Sequence, residues 1–484
     1  MRVRKIFLAL FFSTFVDLIV KSLNNEKNVV KYGLDLKIRG DILNKEKLTK
    51  FAKIFLLIYM SLTFINILLP DEFVIGIVKL DYRLDPFQMI IRWFNFVGFL
   101  VLPIAVYFDR PTFKKIALYF CLPVVIILMC MFKDILPGYM SELGTGIVDI
   151  RYLPEAVSNF MRNGIFRGIF FFIMCITEII TIILVIAKDW KVIKFNKKDV
   201  INFAILLPIL IASIVPTYAL EGIFDHQSNI KFKTFSIAHI IWMLFIVAEI
   251  IVIYKLFKNR SHEDRLIVVL ILALDLLVQY NQLFSSLGEL TCKRMPLQLC
   301  NLASYLILVA IIFKRRDIFI FNLLINVVGA IIAVIVLDAD NSNLISKGNI
   351  HYIVEHNNVI VVPILCLLLG VFEPVKKGEF KIFLKYFTIY FMIIYILGTT
   401  FNALYLALDS DFFKCNYLFM FDAVKAQKLL PFTKYLFDLK ITIGYVNLYP
   451  AVQLPIYAAF TGLSYLTYIV LLKAFKKKAD IQSA

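Results

Sequence analysis

Residues 295–316 read MPLQLCNLASYLILVAIIFKRR. A proline opens the stretch near its start, an apolar run fills it, and Lys314-Arg315-Arg316 closes it. A bilayer core is crossed by about 20 mostly apolar residues, and basic residues gather at the cytoplasmic ends of such spans. The stretch therefore reads as a Pro-led transmembrane helix running inward to a basic turn. The same order occurs earlier in the chain: Pro86-Phe-Gln-Met-Ile opens an apolar run that ends in Asp109-Arg110-Pro111.

Composition extends this reading to the whole chain. Of 484 residues, 61% are hydrophobic and 18% charged, and the mean hydropathy is +0.82. Soluble globular chains carry roughly 45–50% apolar residues, so a polytopic all-α membrane protein is expected. The net charge of +17 then belongs to loops facing anionic lipid and not to a nucleic-acid surface. Spans are expected near 6–20, 54–74, 90–108, 116–132, 168–187, 201–220, 236–254, 266–286, 296–313, 318–337, 353–373, 386–406 and 452–472, about thirteen in all. Alternate connections divide by charge: one set carries 32 Lys and Arg in 92 residues, the other 19 in 139. The denser set is cytoplasmic by the positive-inside rule, which places the C-terminus inside. The basic MRVRK start leads into an apolar run with no small-residue cleavage site, as expected of an uncleaved first span. Richness in Ile, Phe, Lys and Asn suggests an AT-rich bacterial genome, hence a bacterial cytoplasmic membrane.

The order of elements occurs twice, over 6–220 and 236–406, each as six spans with a Pro-led third span and a short basic turn after it. Two six-helix repeats plus a terminal helix are expected, with 1–220 an N-terminal unit and 221–484 a C-terminal unit. The chemistry is unequal. All five His follow residue 225, and pairing Pro86 with Pro296 sets Ile90 opposite Cys300. If one half is catalytic, it is the second.

Polar side chains inside a membrane are functional candidates by default. His239, Cys300 and His356 each lie near the outer start of a span, so they share a depth. Gln279, Asn281 and Gln282 end an outward-running span at that level, as does Asn402. A Cys in a first helical turn is favoured as thiolate by the helix dipole. A neighbouring His can take its proton, and Gln298, Asn301 or Asn402 could donate to a developing oxyanion. Glu178 and Glu249 read as interhelical partners, and Asp275 as a group placed to orient a His. Asp338-Ala-Asp340 is too common a loop pattern to imply a metal. There is no CxxC, Walker, HExxH or GxSxG pattern, so no metal or soluble cofactor is expected.

Phe235-Ser-Ile-Ala-His239, Met295-Pro-Leu-Gln-Leu-Cys300-Asn-Leu-Ala, the span opening with His356 and Cys415-Asn-Tyr-Leu-Phe together resemble the YwaF-type bacterial integral membrane proteins. Their eukaryotic relatives are transmembrane acyltransferases that remodel ether phospholipids. The resemblance runs from Phe235 to about Leu472 and does not reach the first half. It implies Cys300 as acyl-accepting nucleophile and His356 as its base, sets His239 at another recurrent histidine of the family, and implies membrane lipids as partners; His239, Gln279, Gln282, Gln298, Asn301 and Asn402 are the supporting polar groups expected from depth and chemistry. Gln298 stands where bacterial relatives often have His, and the Lys-Pro that tends to follow Asn-Tyr-Leu is absent. The expected activity is lipid acyl transfer near the outer leaflet. A secondary transporter is the main alternative, since two six-span units suit alternating access; a lipid-linked glycosyltransferase or a non-catalytic scaffold follow.

Overall fold

The structure, a computed structural model, describes residues 34–68, 86–131, 164–215, 230–286, 291–337, 343–423 and 432–482. Its helices are α1 (Leu34–Leu68), α2 (Pro86–Asn95), α3 (Val97–Tyr107), α4 (Pro111–Cys130), α5 (Gly164–Lys188), α6 (Lys197–Ile214), α7 (Ile237–Phe257), α8 (His262–Ser286), α9 (Leu299–Ile312), α10 (Arg316–Ile335), α11 (Lys347–Leu368), α12 (Phe380–Leu408), the short α13 (Thr433–Asp438) and α14 (Pro450–Gln482). A hairpin of β1 (Ile441–Ile443) and β2 (Val446–Leu448) turns at Gly444, φ +59°.

Eight of these helices are long and apolar enough to cross a membrane, and Trp93–Tyr107 and Leu299–Ile312 are shorter apolar helices. The chain is thus a multi-pass α-helical membrane protein, and thirteen spans are not confirmed. The expected first span, 6–20, lies outside the described residues, as does Asp338-Ala-Asp340. The basic connection drawn over 21–53 is in part helix, because α1 begins at Leu34. Lys, Glu, Leu and Arg are good helix formers, so hydropathy marks the membrane boundary and not the end of the helix. For the same reason α11 starts at Lys347, six residues before the expected span.

Local chemistry sets the ends. Ser236 caps α7 by accepting from His239 N, and Ser346 caps α11 by accepting from Asn349 N at 3.2 Å. Pro111 and Pro450 stand in the first turns of α4 and α14, where no amide partner is lost. Asn196 and Asp199 form a reciprocal capping box on α6.

Packing separates interior from rim. In α11 72% of the spanning window is buried, against 17% in α7 and α12 and 11% in α14. α11 packs on α7, α8, α9 and α10, while α7, α12 and α14 turn large apolar side chains such as Ile237, Leu244 and Leu466 outward, as lipid-facing helices do. α8 joins the halves by packing on α1, α3 and α6.

Several local features recur. A left-handed residue separates α3 from α4 (Asp109, φ 56°) and α9 from α10 (Lys314, φ 51°). A five-residue π-helical turn interrupts α4 at Ala117–Cys121 and α10 at Asn322–Asn326. Lys314 follows Asp109 by 205 residues, and Asn322 follows Ala117 by the same 205. At the start of α6, Asp199 accepts from Asn196 N (2.7 Å) and from Lys115 Nζ of α4 (2.6 Å). At the start of α12, Glu379 accepts from Lys376 N (2.7 Å) and from Arg316 of α10 (2.5 and 2.9 Å). At that offset Asn95, not Ile90, stands opposite Cys300.

Candidate functional site

Cys300 lies in the first turn of α9, whose N-cap is Gln298. That helix has 14 residues, or about 21 Å of rise, and leads from the basic turn at 314–316. With that turn at one face of a hydrocarbon core of about 30 Å and the helix along the membrane normal, Cys300 would stand about 10 Å inside the other face.

α9 and α11 pack together, and the residue of α11 that reaches the Cys300 thiol electrostatically is Glu355. One turn earlier, His351 Nε2 is 3.2 Å from Glu355 Oε2. A carboxylate only accepts, so Nε2 carries the proton. Both residues are more than nine-tenths buried, and His351 Nδ1 and Glu355 Oε1 have no hydrogen-bond partner. Tyr280 of α8 flanks His351, with ring centroids 5.9 Å apart.

His356 is the next residue after Glu355, about 100° further round the helix. Its Nδ1 donates to the Tyr352 carbonyl at 2.7 Å, and its ring lies 4.1 Å from that of Tyr352. Donation from Nδ1 leaves Nε2 with the lone pair in neutral His356, the state a base requires.

The supporting residues divide. His239 accepts from Phe235 N at Nδ1 (2.9 Å) and donates from Nε2 to the Val334 carbonyl (2.6 Å). Both ring nitrogens are engaged, Nδ1 at the entry to α7 and Nε2 in tying α7 to the end of α10. Gln298 donates to the Asn416 carbonyl (3.1 Å) and accepts from Leu418 N (3.0 Å). Asn402 donates to the carbonyls of Gly398 (2.8 Å) and Cys415 (2.9 Å). These two amides therefore hold the segment 415–418 over the start of α9, Asn402 with both of its N–H groups and Gln298 with one. Gln279 donates to the Ser213 carbonyl, joining α8 to α6. Gln282 lies in the last turns of α8, its side chain outside the described set. Asn301 is half-buried beside Cys300.

The covering segment is tightly built. Asn416 Oδ1 accepts from Phe421 N (2.9 Å) and Asp422 N (3.1 Å), and Tyr417 donates to the Cys292 carbonyl. Leu418 and Phe419 hold left-handed backbones, φ 52° and 58°, a strain that persists only where surroundings over-determine it. Phe421 packs against Gly398 of α12 so closely that a Cβ there would stand 2.3 Å from Cε2.

Deeper in the bundle, Asn358 donates to Asp275 Oδ2 (2.8 Å) and Asn357 to Glu249 Oε2 (2.7 Å). Glu249 is an interhelical partner as expected; Asp275 meets an asparagine and not a histidine. In the first half, Glu178 is fully buried against Asn95 and Tyr59.

Sequence reasoning missed Glu355 and left His351 in a loop. The available signal was His351-x-x-x-Glu355, the one-turn spacing that puts two side chains on one helix face.

No match is found among the curated proteins or among the solved structures. The model of the TMEM164 family matches residues 234–465, which supports a TMEM164-type membrane protein over the part of the chain that carries Cys300, His351, Glu355 and His356.

Proposed function

We propose that the chain is an integral-membrane lipid acyltransferase that carries the acyl group on Cys300. One observation carries the reading: a first-turn thiol on a helix packed against α11 interacts electrostatically with a buried carboxyl that is itself paired with a buried imidazole. The Cys300 sulfur attacks an ester carbonyl carbon; the S–C bond forms, the thiol proton passes to a base, and the C–O bond to the lipid alcohol breaks. The alcohol leaves with that proton. A second hydroxyl then attacks the thioester, C–O forms, C–S breaks, and the sulfur regains a proton. The Glu355 carboxylate, oriented by the His351 N–H, is the base that interacts with the thiol, and His356 Nε2 is a second base one residue further along α11. With both N–H groups of Asn402 engaged elsewhere, the free first-turn amides of α9, Asn301 and the second N–H of Gln298 are the donors left for the oxyanion. A site about 10 Å inside the boundary suits the ester region of a lipid drawn slightly into the bundle.

The basic turns at 109–115, 314–317 and 374–385 share the end opposite Cys300, which supports a cytoplasmic C-terminus in a bacterial plasma membrane and a site towards the outer leaflet. The paired left-handed residues, π turns and clamped carboxylates support a duplication of units 1–220 and 221–484. Under it, Asn95 holds the position of Cys300 and Cys175, offset as Asp199 is from Glu379, that of Glu355. Such unequal chemistry favours a catalytic unit beside a non-catalytic one over a symmetric transporter.

The test is lipid analysis of cells with and without the gene, with intact-mass measurement of the purified protein. A hydroxylamine-labile acyl adduct on Cys300 and a shifted phospholipid acyl composition are expected. An unchanged lipidome with no adduct overturns the reading.

A further inference from the structure

At the end of the bundle opposite Cys300, a cleft of about 850 Å³ opens between the turn joining α11 to α12 and the later part of α14. Ile469, Leu472 and Phe475 of α14 give it an apolar wall, and Lys376 and Lys377 stand on its rim. Tyr468 fixes the two parts together: its hydroxyl accepts from Gly378 N at 2.8 Å and donates to the Lys376 carbonyl at 3.3 Å. The turn connects two apolar helices of spanning length, so it lies at a membrane boundary. Leu466 and Val470, on the same part of α14, are more than 60% exposed, so the surface beside the cleft is one that faces acyl chains.

Charge selects the occupant. Lys376 pairs with Glu373, while Lys377 makes no ion pair among the described residues. The sequence adds Lys473 and, after Phe475, three consecutive lysines at 476–478. An apolar wall beside a cationic rim matches a molecule with an acyl chain and an anionic headgroup. A zwitterionic headgroup would bring its own cation to the lysines and lose most of that attraction. Basic pockets between membrane helices at the cytoplasmic side recognise anionic headgroups on this principle.

We infer that the cleft binds one anionic phospholipid, its phosphate at Lys376 and Lys377 and an acyl chain along Ile469 and Leu472. This site is separate from Cys300 and does not depend on acyl transfer.

The experiment uses the full chain in nanodiscs doped with a photoactivatable phosphatidylglycerol or, in parallel, a photoactivatable phosphatidylcholine of the same chains. Mapping of the crosslinked peptide should place the phosphatidylglycerol adduct within 465–475. Lys376→Gln with Lys377→Gln should lower that labelling by about tenfold, taking a few-fold per lysine near the headgroup plane. The corresponding double change to Arg should retain it, and Glu373→Gln, which frees Lys376, should raise it. Cys300→Ala should label like the native chain, which separates this result from the acyl-transfer reading. Unfolding temperature of each variant distinguishes lost lipid from lost fold, since the Lys376–Glu373 pair is exposed and contributes little. Equal labelling by the two probes, adducts elsewhere, or labelling indifferent to the lysine changes in folded protein overturns the proposal.

Discussion

His351 Nε2 stands 3.2 Å from Glu355 Oε2 one turn along α11, and the same carboxyl interacts electrostatically with the Cys300 thiol at the start of α9. Glu355→Gln keeps the shape and removes the base. In proteoliposomes it should lower acyl transfer by about 10²–10⁴, the usual effect of losing a general base. His356→Ala should fall in the same range, and Cys366→Ala should leave the rate unchanged. A Glu355→Gln rate within twofold of native would remove that carboxyl from the reaction. Thiol probes should label the partly exposed Cys300 and spare the buried Cys292 and Cys415.

His239 should behave as a structural residue. His239→Phe leaves the Val334 carbonyl and Phe235 N–H without their partners, at a cost of about 1–3 kcal/mol. Thermal unfolding in detergent should register it, with the rate per folded molecule close to native. A large rate loss at native stability would return His239 to the reacting groups.

Gly398→Ala tests the covering segment. The added methyl meets the Phe421 ring, and overpacking of this kind costs about 1–3 kcal/mol. Phe421→Leu should recover most of that loss in the double variant. Simple additivity would mean the two residues do not share the contact.

The clamps Lys115–Asp199 and Arg316–Glu379 invite parallel removal. The first pair is the more buried, with side chains 9% and 8% exposed. Asp199→Asn should therefore cost about 3–5 kcal/mol, as for a buried charge left unpaired. Glu379→Gln should cost less, because Arg316 is 26% exposed and can reach water. The losses should add, since the pairs lie in different halves.

Asp109 gives a pH test. Burial raises its carboxyl, but hydrogen bonds from Lys114 and Lys188 outweigh that and hold it below the usual carboxylate range. A lowered folded value contributes stability that is present above the unfolded pKa of about 3.9 and is lost as pH falls through the folded value. Asp109→Asn should cost under about 1 kcal/mol at pH 7, given its half-exposed side chain. The gap from native should narrow below about pH 4. A gap independent of pH would assign the loss to something other than the ion pair.

Much of the helical order was readable because apolar runs and their basic ends are local properties. The runs at 168–187, 236–254 and 386–406 each fall on a described helix, while that at 90–108 is divided between α2 and α3 at Phe96. Errors arose where helix and membrane part company. Leu34 and Lys347 begin helices well before the chain becomes apolar, and that displacement left His351 in a loop. The π turns at Ala117 and Asn322, 205 residues apart, carry no composition signal.

The sequence by itself determined that the chain is a multi-pass helical membrane protein, that its histidines lie in the second half, and that Cys300 opens a short helix. These follow from transfer energy and helix geometry along one segment. Which neighbours meet Cys300 was decided only by the tertiary structure. The rotation of α11 about its axis sets Glu355 and His356 about 100° apart, and interhelical bonds such as His239 to Val334 and Gln298 to Asn416 fix how the helices stand beside one another. Rotation and lateral order depend on packing against several helices at once, and no single stretch of sequence carries that information.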